Sequence, residues 1–152
     1  MMQDTIITRD YKPDDYLNLM KLWKETGIGN PERGDNEKVI RNCLRIGGRL
    51  MVMEDTSSNV LMGSCWITFD GRRNLLHHFA IKPEYQGKKI GTRLGNEVLE
   101  YLKKSGHQVK LEVHKDNTIA KRLYKKLGFF SYNNYDIFMI RNIQGNAWHE
   151  KG

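Results

Sequence analysis

The strongest constraint on the fold lies between Leu75 and Leu102. An apolar run from Leu75 to Ile81 ends at Pro83, a short basic loop with Gly87 and Gly91 follows, and Ile90, Leu94, Val98 and Leu102 then recur at helical spacing. A strand feeding a glycine-containing loop at a helix N-terminus has few ways to pack. Its helix must lie back across the sheet, and the first helical turn must present unbonded N–H groups at the strand's end. Those groups and the helix dipole favour an anion there. Lys82, Lys88 and Lys89 add charges suited to phosphate, and Arg93 fits the same reading.

The loop is not a Walker A loop. Lys82 stands where that pattern needs its first glycine, and Lys89 stands where it needs Ser or Thr. It also lacks the third glycine and the following acid of a dinucleotide fingerprint. Charge is concentrated around it. The chain has 152 residues and a net charge of +7, and residues 82 to 126 hold twelve Lys or Arg against five Asp or Glu. The whole excess therefore lies in one segment, which suits an anionic ligand. Lys103-Lys104 and Lys125-Lys126 read as solvated helix faces.

The rest of the chain reads as one domain over residues 1–143 with a polar tail over 144–152. Thr5–Thr8 is a strand. Pro13, Asp14 and Asp15 start a helix bearing Tyr16, Leu17, Met20 and Trp23, which Gly27 stops. Asp35 is expected to cap a second helix with Val39, Ile40, Cys43 and Leu44 on one face. Strands follow at Leu50–Met53 and Val60–Phe69, and Asp70-Gly71 turns the chain back into Asn74–Ile81. Val109–Val113 is a strand. Ile119, Ala120, Leu123 and Leu127 form a helical face capped by Asp116 or Asn117, and Phe129–Tyr132 and Tyr135–Ile140 read as a closing hairpin around Asn133-Asn134. The expectation is an α+β fold: a mixed, mostly antiparallel sheet of about seven strands flanked by four helices.

Gln86-Gly87-Lys88-Lys89-Ile90-Gly91, after a strand ending in Ile81-Lys82-Pro83, resembles motif A of the GCN5-related N-acetyltransferase superfamily; the departure is Lys89, where that family usually has glycine. Lys110-Leu111-Glu112-Val113-His114-Lys115-Asp116-Asn117, with Ala120, Tyr124 and Gly128-Phe129, resembles its motif B. The resemblance implies acetyl-CoA as cosubstrate and a primary amine as acceptor: a small amine, a peptide N-terminus or a lysine. The backbone of Phe79 and Ile81 would pair with the coenzyme's arm. The N–H groups of Gln86, Gly87, Lys88, Lys89, Ile90 and Gly91, with the Thr92 hydroxyl, would hold the pyrophosphate, and Asn117 would contact the arm. Tyr124 matches the family's tyrosine near the coenzyme sulfur, where a phenol can donate a proton without being charged.

Three residues compete as general base. Glu112 ranks first, since its segment looks like that of the ribosomal-protein alanine acetyltransferases. His77 ranks second, at a position where arylalkylamine acetyltransferases place a histidine; an ordinary imidazole pKa of about 6.5 suits proton transfer near neutrality. His114 ranks third. Strand alternation puts His77 on the face of Phe79 and Ile81 and turns His78 away.

No histidine sits in a cluster with metal-ligand spacing, so no metal is expected. Cys43 and Cys65 form no CxxC and read as buried free thiols. With no signal-peptide pattern at Met1–Thr5 and no membrane-length apolar run, a cytoplasmic protein is expected. A nucleic-acid partner rests on charge alone. A non-catalytic acyl-CoA-binding module of the same fold is the alternative reading, and a homodimer stays open.

Overall fold

A computed structural model of the chain describes residues 5–132 and 134–145. Five strands, β1 (Ile6–Asp10), β2 (Arg49–Asp55), β3 (Val60–Phe69), β4 (Arg73–Ile81) and β5 (Gln108–Leu111), lie in that order across one sheet. The first three junctions are antiparallel and β4–β5 is parallel. Four helices flank them: α1 (Tyr16–Thr26), α2 (Glu37–Arg45), α3 (Ile90–Lys103) and α4 (Thr118–Lys126). The α+β class and the helix count match the expectation.

The strand count does not. The sheet has five strands rather than seven, because the closing hairpin over 129–140 is absent from the described residues; Asn133, at its expected turn, lies outside them. Alternation chooses which face a strand would bury, but a strand also needs a partner edge. The β5 ladder is only four residues long, and the large apolar side chains from Phe130 to Ile143 stay exposed. The expected tail falls largely on residues outside those described, Trp148 among them.

Two apolar layers cover the sheet. On one face Leu19, Leu22 and Trp23 of α1 meet Ile40 and Cys43 of α2 over Leu50, Val52, Leu61, Trp66 and Ala80. Leu17, which the periodicity places inward, is exposed; the inner face of α1 is Leu19, Leu22 and Trp23. On the other face Ile90, Leu94, Val98 and Leu102 of α3 pack on Met53, Met62, Cys65, Ile67 and Leu76. Each such side chain contributes about 1.5–3 kcal/mol when fully buried. Gly95 lets α4 approach, since a Cβ there would lie 2.5 Å from Leu127 Cδ1. Both cysteines are buried and free.

Polar contacts fix the ends of these elements. Asp15 is buried under Arg9, which reaches its two oxygens at 2.8 and 2.9 Å. Asp55 gathers the Ser57 and Thr5 hydroxyls and Tyr85 Oη, tying the β2–β3 turn to the segment after β4. The cap of α2 is Asn36, whose Oδ1 accepts the Val39 N–H at 3.0 Å, and not Asp35. Asn and Asp cap equally well, so adjacent candidates cannot be separated by residue type.

Candidate functional site

β4 and β5 pair only from Arg73/Gln108 to Leu76/Leu111. Beyond that rung β4 continues to Ile81, while the chain after Leu111 turns toward α4. From His77 to Ile81 no described strand pairs with the β5 side of β4, so the two strands part at this point.

A bulge sits at the same place. Ser64 pairs with Ala80 and Trp66 with His77, so His78 and Phe79 together oppose Cys65. His78 takes a left-handed φ of 49°. A bulge leaves one residue without its ladder partner and bends the strand. It also shifts the alternation. His77 does not share a face with Phe79 and Ile81: Phe79 and Ile81 pack in the α3 layer, whereas His78 stands against Trp23 and Trp66. His77 Nε2 lies 2.8 Å from the Thr68 hydroxyl, with Thr68 in phase with Trp66 on β3. Both histidines therefore look toward the α1–α2 side.

At the end of β4 the 3-10 turn Pro83–Tyr85 leads into the basic loop. Gln86 Nε2 donates to the Ile81 carbonyl at 2.8 Å, and the Gln86 N–H is used by the Pro83 carbonyl at 3.2 Å, so Gln86 braces the loop and its N–H is not available to a ligand. Gly87 and Lys89 have left-handed φ values of 76° and 63°. This explains the glycine usual at position 89 in the motif, since only glycine takes that conformation without a steric cost. The first bond inside α3 is Arg93 N–H to Lys89 O at 3.1 Å, and the Lys89 side chain does not cap the helix. The N–H groups of Ile90, Gly91 and Thr92 thus have no acceptor within the helix. Lys88 and Lys89 are exposed beside them.

Two of the cations expected to serve phosphate are engaged elsewhere. Lys82 Nζ lies 2.7 Å from Glu25 Oε2 of α1. Arg93 bonds Glu97 at 2.9 Å and the Ile6 carbonyl at 2.8 Å, fixing α3 to β1. The sequence gives no sign of Glu25 or the Ile6 carbonyl, which are remote in the chain, whereas Arg93–Glu97 is a local i,i+4 pair.

Beyond β5, Asn117 caps α4 by accepting the Ala120 N–H at 3.1 Å through Oδ1, a cap that does not use its amide nitrogen. Tyr124 of α4 meets Phe79 edge-on at 5.9 Å and Phe129 at 5.8 Å. Burial, with the Cys65 thiol nearby, pushes its phenol up to about 12, so it keeps its proton at any physiological pH. Gly91 comes close to the same group: a Cβ there would touch Leu123, Ile81 and Phe79 at 3.4–4.0 Å. Hence Tyr124, Phe79 and the first turn of α3 meet at one place, beside the parting of β4 and β5.

Glu112 follows directly on β5 and is exposed. Its charge acts on His77, whose pKa burial and the neighbouring His78 hold below the usual imidazole value, with Glu112 and Asp35 opposing. A lowered pKa favours the neutral form of His77, which can accept a proton. His114 is exposed, and its Nδ1 accepts the Asp116 N–H at 3.1 Å, a turn contact away from the bulge. Asp35, expected as a helix cap, instead lies 3.0 Å from His78 Nε2.

Comparisons with known proteins show the family and the fold. A family model described as the acetyltransferase (GNAT) family matches residues 16–129. An uncharacterized N-acetyltransferase of Methanocaldococcus jannaschii is 39% identical over 67 residues, 42% of this chain; the match spans only 30% of that relative's length. Among solved structures, a GNAT-family acetyltransferase of Staphylococcus aureus superposes with a TM-score of 0.74 at 18% identity, over 87% of this chain and 89% of that one. The PaiA N-acetyltransferase of Thermoplasma acidophilum, in complex with coenzyme A, gives 0.71 at 22% identity, over 86% and 92%. A predicted acetyltransferase of Clostridium acetobutylicum with acetyl-CoA gives 0.69 at 17%, over 89% and 96%. No helix among the described residues is long and apolar enough to cross a membrane.

Proposed function

The chain belongs to the GNAT acetyltransferase family, and on that premise we propose that it transfers the acetyl group of acetyl-CoA to a primary amine: a small amine, a peptide N-terminus or a lysine. The observation that carries this reading is the parting of β4 and β5 after Leu76, directly beside the unbonded first turn of α3. The free backbone groups of Phe79 and Ile81 suit an extended amide-bearing arm, and the N–H groups from Gly87 to Thr92, Lys88, Lys89, Ile90 and Gly91 among them, suit a diphosphate. The amide nitrogen of Asn117, which the cap does not use, suits a contact with the same arm. Relatives of this fold hold coenzyme A and acetyl-CoA.

Acetyl-CoA supplies the activated acyl group; the residues of the chain bind it, orient it and move protons. The amine loses a proton as its nitrogen attacks the thioester carbon, and Glu112 takes that proton, with His77 as the second candidate. Glu112 follows the end of β5 and is exposed, and His77 lies on the α1–α2 side of β4 just past the last β4–β5 rung, which supports keeping both as candidates. The C–S bond breaks, and the departing sulfur takes a proton from Tyr124, which burial keeps protonated. The free buried thiols fit a reducing compartment such as the cytosol.

Thiol release from acetyl-CoA, followed across a panel of amines and N-terminal peptides, tests this reading. Tyr124→Phe should lower turnover by about 10²-fold or more with little change in coenzyme affinity. Coenzyme binding without thiol release on any amine would instead support a non-catalytic acyl-CoA-binding module.

A further inference from the structure

His78 is a non-glycine residue in a left-handed conformation inside a strand. Such a residue costs about 1–2 kcal/mol and persists only where its surroundings over-determine it. Three contacts hold it. Its carbonyl accepts the Ser64 hydroxyl at 2.8 Å, and Ser64 Oγ itself accepts the Trp23 indole N–H at 2.9 Å. Its ring lies against Trp23 and Trp66, with centroids 4.4 and 5.4 Å away. Its Nε2 is 3.0 Å from Asp35 Oδ1.

The last contact links the bulge to another part of the molecule. Asp35 belongs to the loop between α1 and α2, and its Oδ2 accepts the Asn30 N–H at 2.7 Å, closing the loop around the 3-10 turn Pro31–Arg33. Neither His78 ring nitrogen has a partner in hydrogen-bonding alignment. The contact is a close approach of 3.0 Å, so it depends on where the loop sets the carboxylate. Both side chains are mostly buried, at 16% and 13% exposure, in a region where such a contact is little screened by water.

We propose that Asp35 and His78 are a positioning pair: the α1–α2 loop, through the Asp35 carboxylate, holds the His78 ring against Trp23 and Trp66 and thereby sets the direction in which the bulge offers the Phe79 peptide to the parting of β4 and β5. The proposal rests on the acetyl-transfer reading for its chemical consequence. Neither residue touches the reacting atoms. An acceptor amine that contacts the loop would, through this pair, adjust the Phe79 peptide that borders the parting of β4 and β5. A small misplacement there carries a large rate penalty, because aim is set at sub-ångström scale.

The test compares Asp35→Asn, Asp35→Glu, His78→Gly and the double variant D35N/H78G in the full chain. Glycine accepts the left-handed φ without strain, so His78→Gly keeps the backbone while removing the ring. With the amine that the unaltered protein turns over best, Asp35→Asn and His78→Gly should each lower kcat about tenfold. The Kd for coenzyme A should stay within about twofold, the double variant should be no worse than the poorer single one, and Asp35→Glu should recover part of the loss. Unchanged kcat in His78→Gly, or additive losses in the double variant, would overturn the pair. A second readout needs no turnover. In the ligand-free protein the Phe79 and Cys65 amide resonances should shift in Asp35→Asn, whereas a purely local loop role would move only residues 28–36. If the unaltered protein releases no thiol with any amine, the acetyl-transfer reading fails; the Phe79 resonance still decides the pair, its constancy overturning it.

Discussion

The two ends of the molecule differ in how firmly they are held. From β1 to α3 the chain builds two apolar layers, and its charged ends are tied by Arg9–Asp15, Lys82–Glu25 and Arg93 to β1. Among the described residues after Leu102 none is buried; β5 has four residues, and α4 rests on the rest through half-buried Leu123, Tyr124 and Leu127. The proposed cleft lies along this boundary. The first turn of α3, proposed to hold phosphate, belongs to the firm part, and Asn117 and Tyr124 belong to the soft one. A ligand bridging both would contribute the contacts that the soft part lacks.

The largest expected effect separates the two parts by stability. Leu94→Ala, deep in the α3 layer, should cost about 2–5 kcal/mol in urea unfolding. Leu127→Ala should cost about 1 kcal/mol, because that side chain is only half-buried. Equal losses would erase the contrast.

Base choice sharpens it next. Glu112 stands on the soft side and His77 on the firm side. Glu112→Gln should depress turnover by about 10²-fold with coenzyme affinity unchanged, and His77→Ala by less. The reverse order would place the base on β4. In that case the acid limb of the rate profile should fall below the ordinary histidine range, since the pKa of His77 is lowered and its neutral form must act.

How much of this was legible follows from what each feature depends on. Pro83, Gly87, Gly91 and the Ile90–Leu102 stripe are local signals, and they placed the loop and α3 correctly. So did Asp70-Gly71 for the β3–β4 turn, where Asp70 accepts the Arg72 and Arg73 N–H groups. The bulge carried no local mark: no glycine stands at His78, and strict alternation then put His77 on the wrong face. Glu25, the partner of Lys82, and the Ile6 carbonyl, a partner of Arg93, are set by tertiary packing. The closing hairpin had the right alternation but found no edge, which no reading of its own residues could reveal.

Acid should act on the firm part first. Arg9 and the Lys12 N–H outweigh burial and hold Asp15 below the usual carboxylate range, while the Ser57 and Thr5 hydroxyls do the same for Asp55. A depressed folded-state pKa contributes stability above the unfolded value and loses it as pH falls through the folded one. The urea midpoint should therefore drop below about pH 4, and Asp15→Asn should flatten that drop. The smallest effect is expected at the boundary itself. Lys89→Gly relieves a left-handed lysine at φ 63° and should raise stability by about 0.5 kcal/mol. Loss of its charge should weaken coenzyme A binding by no more than about threefold.

The most direct measurement is amide hydrogen exchange with and without coenzyme A. The account predicts slowed exchange in two separate stretches, Gly87–Thr92 on the firm side and Asn117–Tyr124 on the soft side, with Phe79–Ile81 between them. Binding that protects neither the first turn of α3 nor the start of α4, or no binding at all, would contradict it.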